Sequence, residues 1–268
     1  MINRLFYQGA LAVSALLLDA TPSLAAEIDI PTLLPNLVGI GVGTTTEYSG
    51  AKDTVILPAP GLRYVTSSGY LLEWYGPYGQ LNLMNGPGWQ FGPVLNVKMA
   101  RKDVSDPVVK RIHETQYTLE AGMFVGYEYL KTEGIPFRLR VQGSVMTNAG
   151  DQYNGARFNL SGSYWQPFSQ KFMLGMGLGG GWAPSSYNNN YYGVTPQDSS
   201  ASGLPVYVPG GGVHTGYAWL GAIYELTREW YLGALVLDQR LMNDVGRSPI
   251  VYSRDQITAG VGLGFGWK

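Results

Sequence analysis

The chain of 268 residues has no cysteine, so disulfide staples, thiolate metal sites and sulfur redox chemistry are excluded at once. Charge is also scarce. Asp, Glu, Lys and Arg make up 14% of the residues, well below the usual quarter or so of a soluble domain. A net charge of -1 supplies no basic field, which argues against nucleic acid as a partner. Past the N-terminal segment, Gly, Asn, Gln or a charge interrupts every apolar run, so no segment reads as a transmembrane helix. Glycine and tyrosine are the residues in surplus, at 37 and 19. A membrane protein without spanning helices must be a closed barrel, because that is the other fold that satisfies every backbone group in lipid.

The N-terminus carries Arg4, then an apolar run from Leu11 to Leu18, then Ser23-Leu24-Ala25. This pattern predicts a signal peptide over residues 1–25, cleaved after Ala25, and a mature domain over 26–268. The run is too short to cross a bilayer as a helix, and Asp19 and Pro22 close it.

A period of two dominates the mature domain. Tyr117, Leu119, Ala121, Met123, Val125, Tyr127 and Tyr129 alternate with Thr118, Glu120, Gly122, Phe124, Gly126 and Glu128. After four turn residues, 131–134, the alternation resumes with Phe137, Leu139, Val141 and Val145 against Arg138, Arg140, Gln142 and Ser144. That is a hairpin. The last strand sets Ile257, Ala259, Val261, Leu263, Phe265 and Trp267 against Thr258, Gly260, Gly262, Gly264 and Gly266. Aromatics at strand ends, Tyr117, Tyr129, Tyr164 and Trp267 among them, suit the interfacial girdles of a transmembrane barrel. A soluble sandwich alternates too, but its polar face is usually rich in Lys and Glu, whereas here that face is Gly, Ser and Asn with few charges.

Link lengths orient the barrel. Short links at 66–69, 85–88, 131–134, 167–170 and 227–229 read as periplasmic turns; longer ones at 45–54, 102–114, 148–153, 183–212 and 243–254 read as outer loops. With both ends periplasmic the strand number must be even, and a tight outer turn at 76–79 brings it to about 12, with about 10 as the alternative. The fold class is therefore all-β, an antiparallel up-and-down transmembrane barrel in the outer membrane, with outer-membrane lipid as its surroundings.

The string Tyr191-Tyr192-Gly193-Val194-Thr195-Pro196, continuing through Ser199 to Pro205, resembles an outer-loop signature of the MipA/OmpV family. Gly39-Ile40-Gly41-Val42-Gly43, Glu47-Tyr48-Ser49-Gly50, Ser105-Asp106-Pro107 and Ser248-Pro249-Ile250-Val251 extend the resemblance over most of the mature chain. It implies an outer-membrane barrel. It also implies a scaffolding role in peptidoglycan assembly, with periplasmic cell-wall enzymes, a lytic transglycosylase and a peptidoglycan synthase, as partners.

Chemistry-bearing motifs are few. The glycine clusters lack the following helix and acidic residue of a nucleotide-binding loop. His113 and His214 have no partner at metal-ligand spacing and no nucleophile elbow beside them, so neither a cofactor nor an enzyme is expected. The alternation turns Arg63, Glu73, Lys98, Glu120, Glu128, Arg138, Arg140 and Arg157 toward the lumen. Two readings are open. The interleaved charges pair across strands and fill a closed barrel, or Arg138, Arg140 and Arg157 line a small polar channel for solutes. The segment from Ser185 to Gly212 is long enough to be a lid or a contact surface, and its Tyr187, Tyr191 and Tyr192 suit either partner contacts or packing in the barrel mouth.

Overall fold

A computed structural model describes residues 34–86 and 88–267. The signal peptide expected at 1–25 lies outside the described residues. Twelve strands form the wall: β1 (Asn36–Thr46), β2 (Thr54–Val65), β3 (Leu71–Tyr75), β4 (Tyr78–Asn82), β5 (Gly88–Lys98), β6 (Thr118–Lys131), β7 (Phe137–Asn148), β8 (Ala156–Pro167), β9 (Phe172–Ala183), β10 (Gly212–Glu225), β11 (Trp230–Leu241) and β12 (Asp255–Trp267). Each pairs antiparallel with its sequence neighbours, and β12 returns to β1 to close the barrel. The count matches the larger of the two sequence expectations. The tight turn is shorter than expected, since Gly76 and Pro77 alone separate β3 from β4.

The alternation dictates which side chains meet lipid. Leu119, Met123, Val125 and Tyr127 of β6 are exposed on the outside, whereas Thr118, Glu120, Phe124 and Glu128 between them are buried inside. Glycine does two jobs on the inner face. Where the barrel closes, Gly39, Gly41 and Gly43 of β1 lie opposite Gly264, Gly262 and Gly260 of β12. A Cβ on Gly41 would come within 2.7 Å of the Val261 carbonyl oxygen, so backbones approach there as side chains would not allow. On β9, Gly175, Gly177 and Gly179 leave room for the rings of Trp165, Trp219 and Tyr217 from the flanking strands.

Two strands break the regularity. β3 and β4 have five residues each, while the other ten have 11 to 14. At about 3.4 Å per residue the hairpin advances only roughly 17 Å along its strands, less than half of what its neighbours cover. β2 pairs with β3 over 61–65, and the Gly76 amide still donates to the Pro60 carbonyl at 2.9 Å, leaving residues 54–59 of β2 without a sheet neighbour on that side. Pro58 falls in this stretch and Pro60 borders it. Proline removes donors from an open edge and so protects it from further pairing.

The long links fold over the outer mouth instead of trailing from it. Tyr48, Ala51, Val104, Val109, Ile112, Val194 and Ile250 from four different links form one buried cluster. The link between β9 and β10 is not structureless. It carries α1 (Ser185–Tyr192) and α2 (Pro196–Ser202), and α1 turns Tyr187, Tyr191 and Tyr192 into the barrel mouth.

Filling the space reserved for the Trp219 ring tests this packing. Gly177→Val is expected to destabilise the barrel by about 1–3 kcal/mol. The readout is a lower midpoint for loss of the compact, fast-migrating form on unheated gels; an unchanged midpoint would show that the ring has room to move.

Candidate functional site

All eight charged residues that the alternation turns inward lie on the inner wall, none more than 4% exposed. They fall into two groups. Toward the short-turn end, Arg138 pairs with Glu128, Nε to Oε2 at 2.7 Å, and Gln90 donates to the same carboxylate at 2.9 Å. Glu73 accepts from Gln80 at 2.6 Å and from Arg140 at 3.2 Å. Arg140 also bonds Gln142, whose amide continues to Gln80 at 3.0 Å and to the Tyr78 hydroxyl at 3.2 Å. Arg63 lies opposite Glu73 in the β2–β3 register and donates to the Pro35 carbonyl at 3.2 Å.

Toward the loop end, Glu120 is fully enclosed and receives four donors. Arg157 grips both of its oxygens, with Nε at 2.8 Å from Oε1. The Tyr153 hydroxyl adds a bond at 2.7 Å and the Asn96 amide another at 2.8 Å. Lys98 at the end of β5 donates to the Tyr187 hydroxyl at 2.5 Å, and its ammonium lies 4.7 Å from the Tyr191 ring centre. The Arg157 guanidinium covers the Tyr187 ring at 5.0 Å. Such contacts strengthen when desolvated. Across the lumen, Trp165, Tyr217, Trp219 and Leu237 supply an apolar filling.

The α1–α2 segment is held in the mouth by groups that sequence spacing did not bring together. Thr195 caps α2 in a reciprocal box with Asp198, Pro196 opens the helix, and Gly203 ends it at a φ of 79°. Asp198 also receives the His113 backbone N–H and ring Nδ1, each at 2.7 Å. The other ring nitrogen of His113 faces the Asn190 carbonyl at 3.1 Å. Arg101 donates to the carbonyls of Tyr191 at 2.8 Å and His113 at 3.0 Å. Burial pulls the Arg101 guanidinium down to about 10, against the opposing pull of Tyr48 and Asp198, so it stays charged at neutral pH. His214 is buried, with Nδ1 at 2.9 Å from the Gly181 carbonyl.

Sequence reasoning missed the His113–Asp198 clasp and the Arg101 anchor. The one local signal was the Thr195-Pro196-Gln197-Asp198 capping pattern. It also missed Asp238 and Arg240, which point outward near the loop end of β11. Arg240 pairs there with Asp255 at 2.9 Å.

These contacts set two expected outcomes. Arg157→Met would strand the Glu120 charge inside the barrel, a change expected to cost about 3–5 kcal/mol in urea unfolding, while Arg157→Met with Glu120→Gln should recover most of it. Equal losses in the single and double variants would rule out charge stranding as the cause. For Asp198, burial raises the carboxyl, but donors from Thr195 and His113 outweigh it and bring it to about 2, below an ordinary 3.8. A depressed carboxyl stabilises above its unfolded value and loses that contribution on acidification. Protease resistance of the 184–211 segment should therefore fall between about pH 4 and 2, and Asp198→Asn should flatten that dependence.

Comparison with known proteins places this architecture. A sequence profile described as "MltA-interacting protein MipA" matches residues 38–267. The chain is 25% identical over 226 residues to the MltA-interacting proteins of Escherichia coli (strain K12) and Shigella flexneri, covering 80% of this chain and 83% of each relative. In fold it is similar to an outer-membrane channel of Pseudomonas putida F1, with a TM-score of 0.51 and 11% identity over 90% of this chain and all of the other. The chain is an outer-membrane β-barrel and belongs to the MltA-interacting protein MipA family.

Proposed function

We propose that this protein is a closed, non-catalytic outer-membrane barrel that serves as a scaffold for periplasmic cell-wall enzymes, a lytic transglycosylase and a peptidoglycan synthase among them. The observation that carries the closed state is the burial of all eight lumen charges, none more than 4% exposed. Residues lining a water-filled pore are hydrated. Here their neighbours are one another, amide side chains and the tyrosines of α1. The partner class rests on the relatives, which are named for interacting with MltA. The non-catalytic reading has support at both histidines: the His113 ring spends its nitrogens on Asp198 and Asn190, and His214 is enclosed against Gly181.

A scaffold of this kind holds its partner from the periplasmic side, where the links are short turns. The interior charges then contribute rigidity. Their alternative role, lining a small polar channel, makes an opposite electrical prediction.

The refolded barrel in a planar bilayer should show no conductance steps, and Arg138→Ala with Arg140→Ala should change stability before it changes current. Reproducible steps in the wild-type protein would overturn the closed reading. Independently, the immobilised barrel should retain a purified lytic transglycosylase through washing at moderate salt. A silent barrel that retains no such enzyme would remove the scaffold role and leave the closed fold standing.

A further inference from the structure

The short β3–β4 hairpin leaves a gap in the outer half of the wall, between the unpaired stretch of β2 and the end of β5. Just above its turn, the Val97 amide bonds the Pro77 carbonyl at 2.9 Å, so β5 is held down to the hairpin there. Beyond that point residues 47–49 of the β1–β2 link and residues 98–101 approach each other, with Thr115 and Tyr191 behind them. They enclose about 20 Å³, enough for one water-sized atom. Glu47, Ser49 and Ala100 are half-exposed and form the rim.

The pocket is electrostatically lopsided. Lys98 and Arg101 both line it and both are more than nine-tenths buried. Its one carboxylate, Glu47, already accepts from the backbone and hydroxyl of Ser105, at 2.9 and 2.8 Å. Asp198 is occupied by His113 and Thr195. Arg101 spends its two terminal nitrogens on neutral carbonyls, and its Nε is a buried donor with no hydrogen-bond partner. A desolvated guanidinium with an idle donor is costly until an anion satisfies it, and oxyanions bind such groups through short, charge-assisted bonds.

We propose that this pocket binds one oxygen of a phosphate group, presented on the headgroup of an outer-leaflet lipid through the gap in the wall. The volume admits a single oxygen and leaves the rest of the headgroup at the rim. The gap faces the outer half of the membrane, where a headgroup reaches it sideways while its acyl chains stay in lipid. Pro58 keeps the neighbouring open edge of β2 free of a competing strand.

Native mass spectrometry of the detergent-purified full chain tests this, with phosphatidic acid, phosphatidylcholine and inorganic phosphate as probes. One phosphatidic acid per barrel should be retained in preference to phosphatidylcholine. Arg101→Gln should lower that retention about tenfold, the effect of losing one charge-assisted bond. Because Arg101 also anchors the α1–α2 segment, Ala100→Glu at the rim is the second variant: it leaves those bonds in place and should lower retention as strongly by repulsion. Lys110→Gln, exposed on the same link, should have no effect. Retention of inorganic phosphate as firm as that of the lipid would support the oxyanion pocket and assign it to the free ion. No preference for phosphatidic acid with no phosphate retained, or full retention in both folded variants, would overturn the proposal.

Discussion

Hydrocarbon offers no hydrogen-bond partner to a backbone amide, and the ladder joining β12 to β1 is the answer on which every other feature rests. Closure joins the two terminal strands, but it also creates an interior that must be filled or hydrated. The glycines that let β1 and β12 approach leave that side of the lumen poor in side chains. Bulk therefore has to come from elsewhere, and it comes in two kinds. Over β8 to β11 it is aromatic, with Trp165, Tyr217 and Trp219 lying over the glycines of β9. Over β2 to β8 it is ionic, with Glu73, Glu120 and Glu128 each bound by an arginine and an amide or hydroxyl.

The ionic half explains the plug. A desolvated pair contributes little net stability, and it survives only when the remaining donors and acceptors are satisfied. At the loop end the wall alone does not do this for Glu120, Arg157 and Lys98. Tyr153 from the β7–β8 link and Tyr187 from α1 complete their shells. The outer links are thus bound into the interior chemistry as well as lying above it. Their own apolar cluster and the Asp198–His113 contact keep them in place.

Much of the wall was legible in the sequence because its rules are local. A period of two, the residues that interrupt it and the lengths of the interruptions point to about 12 strands, with about 10 left open, and the register settles it at twelve. The hairpin was visible as a turn at Gly76-Pro77-Tyr78-Gly79, but the gap above it was not, since only the register to β2 and β5 reveals how far β3 and β4 reach. The pairing partners of the inward charges were hidden for the same reason. Glu73 meets Arg140 across 67 positions and Glu120 meets Arg157 across 37. The Ser185–Gly212 segment defeated periodicity differently. Its helices are 8 and 7 residues long, below the length at which helices hold without tertiary contacts, so α1 exists because its tyrosines pack against the wall.

A barrel whose interior is committed to packing has little freedom left there for recognition. Moving α1 aside would expose Lys98, Arg157 and Glu120 together, and each would lose contacts that only tyrosine now supplies. Beneath it the Glu73 and Glu128 pairs and the Trp165–Trp219 contact would still occupy the interior. On the proposed closed reading, two successive layers, held by different residues, would have to yield before solute could pass. The surfaces are under no such constraint. Short turns at one rim, a folded cap at the other and the edge of β2 that the short hairpin leaves open are the surfaces this chain can offer without unpacking itself.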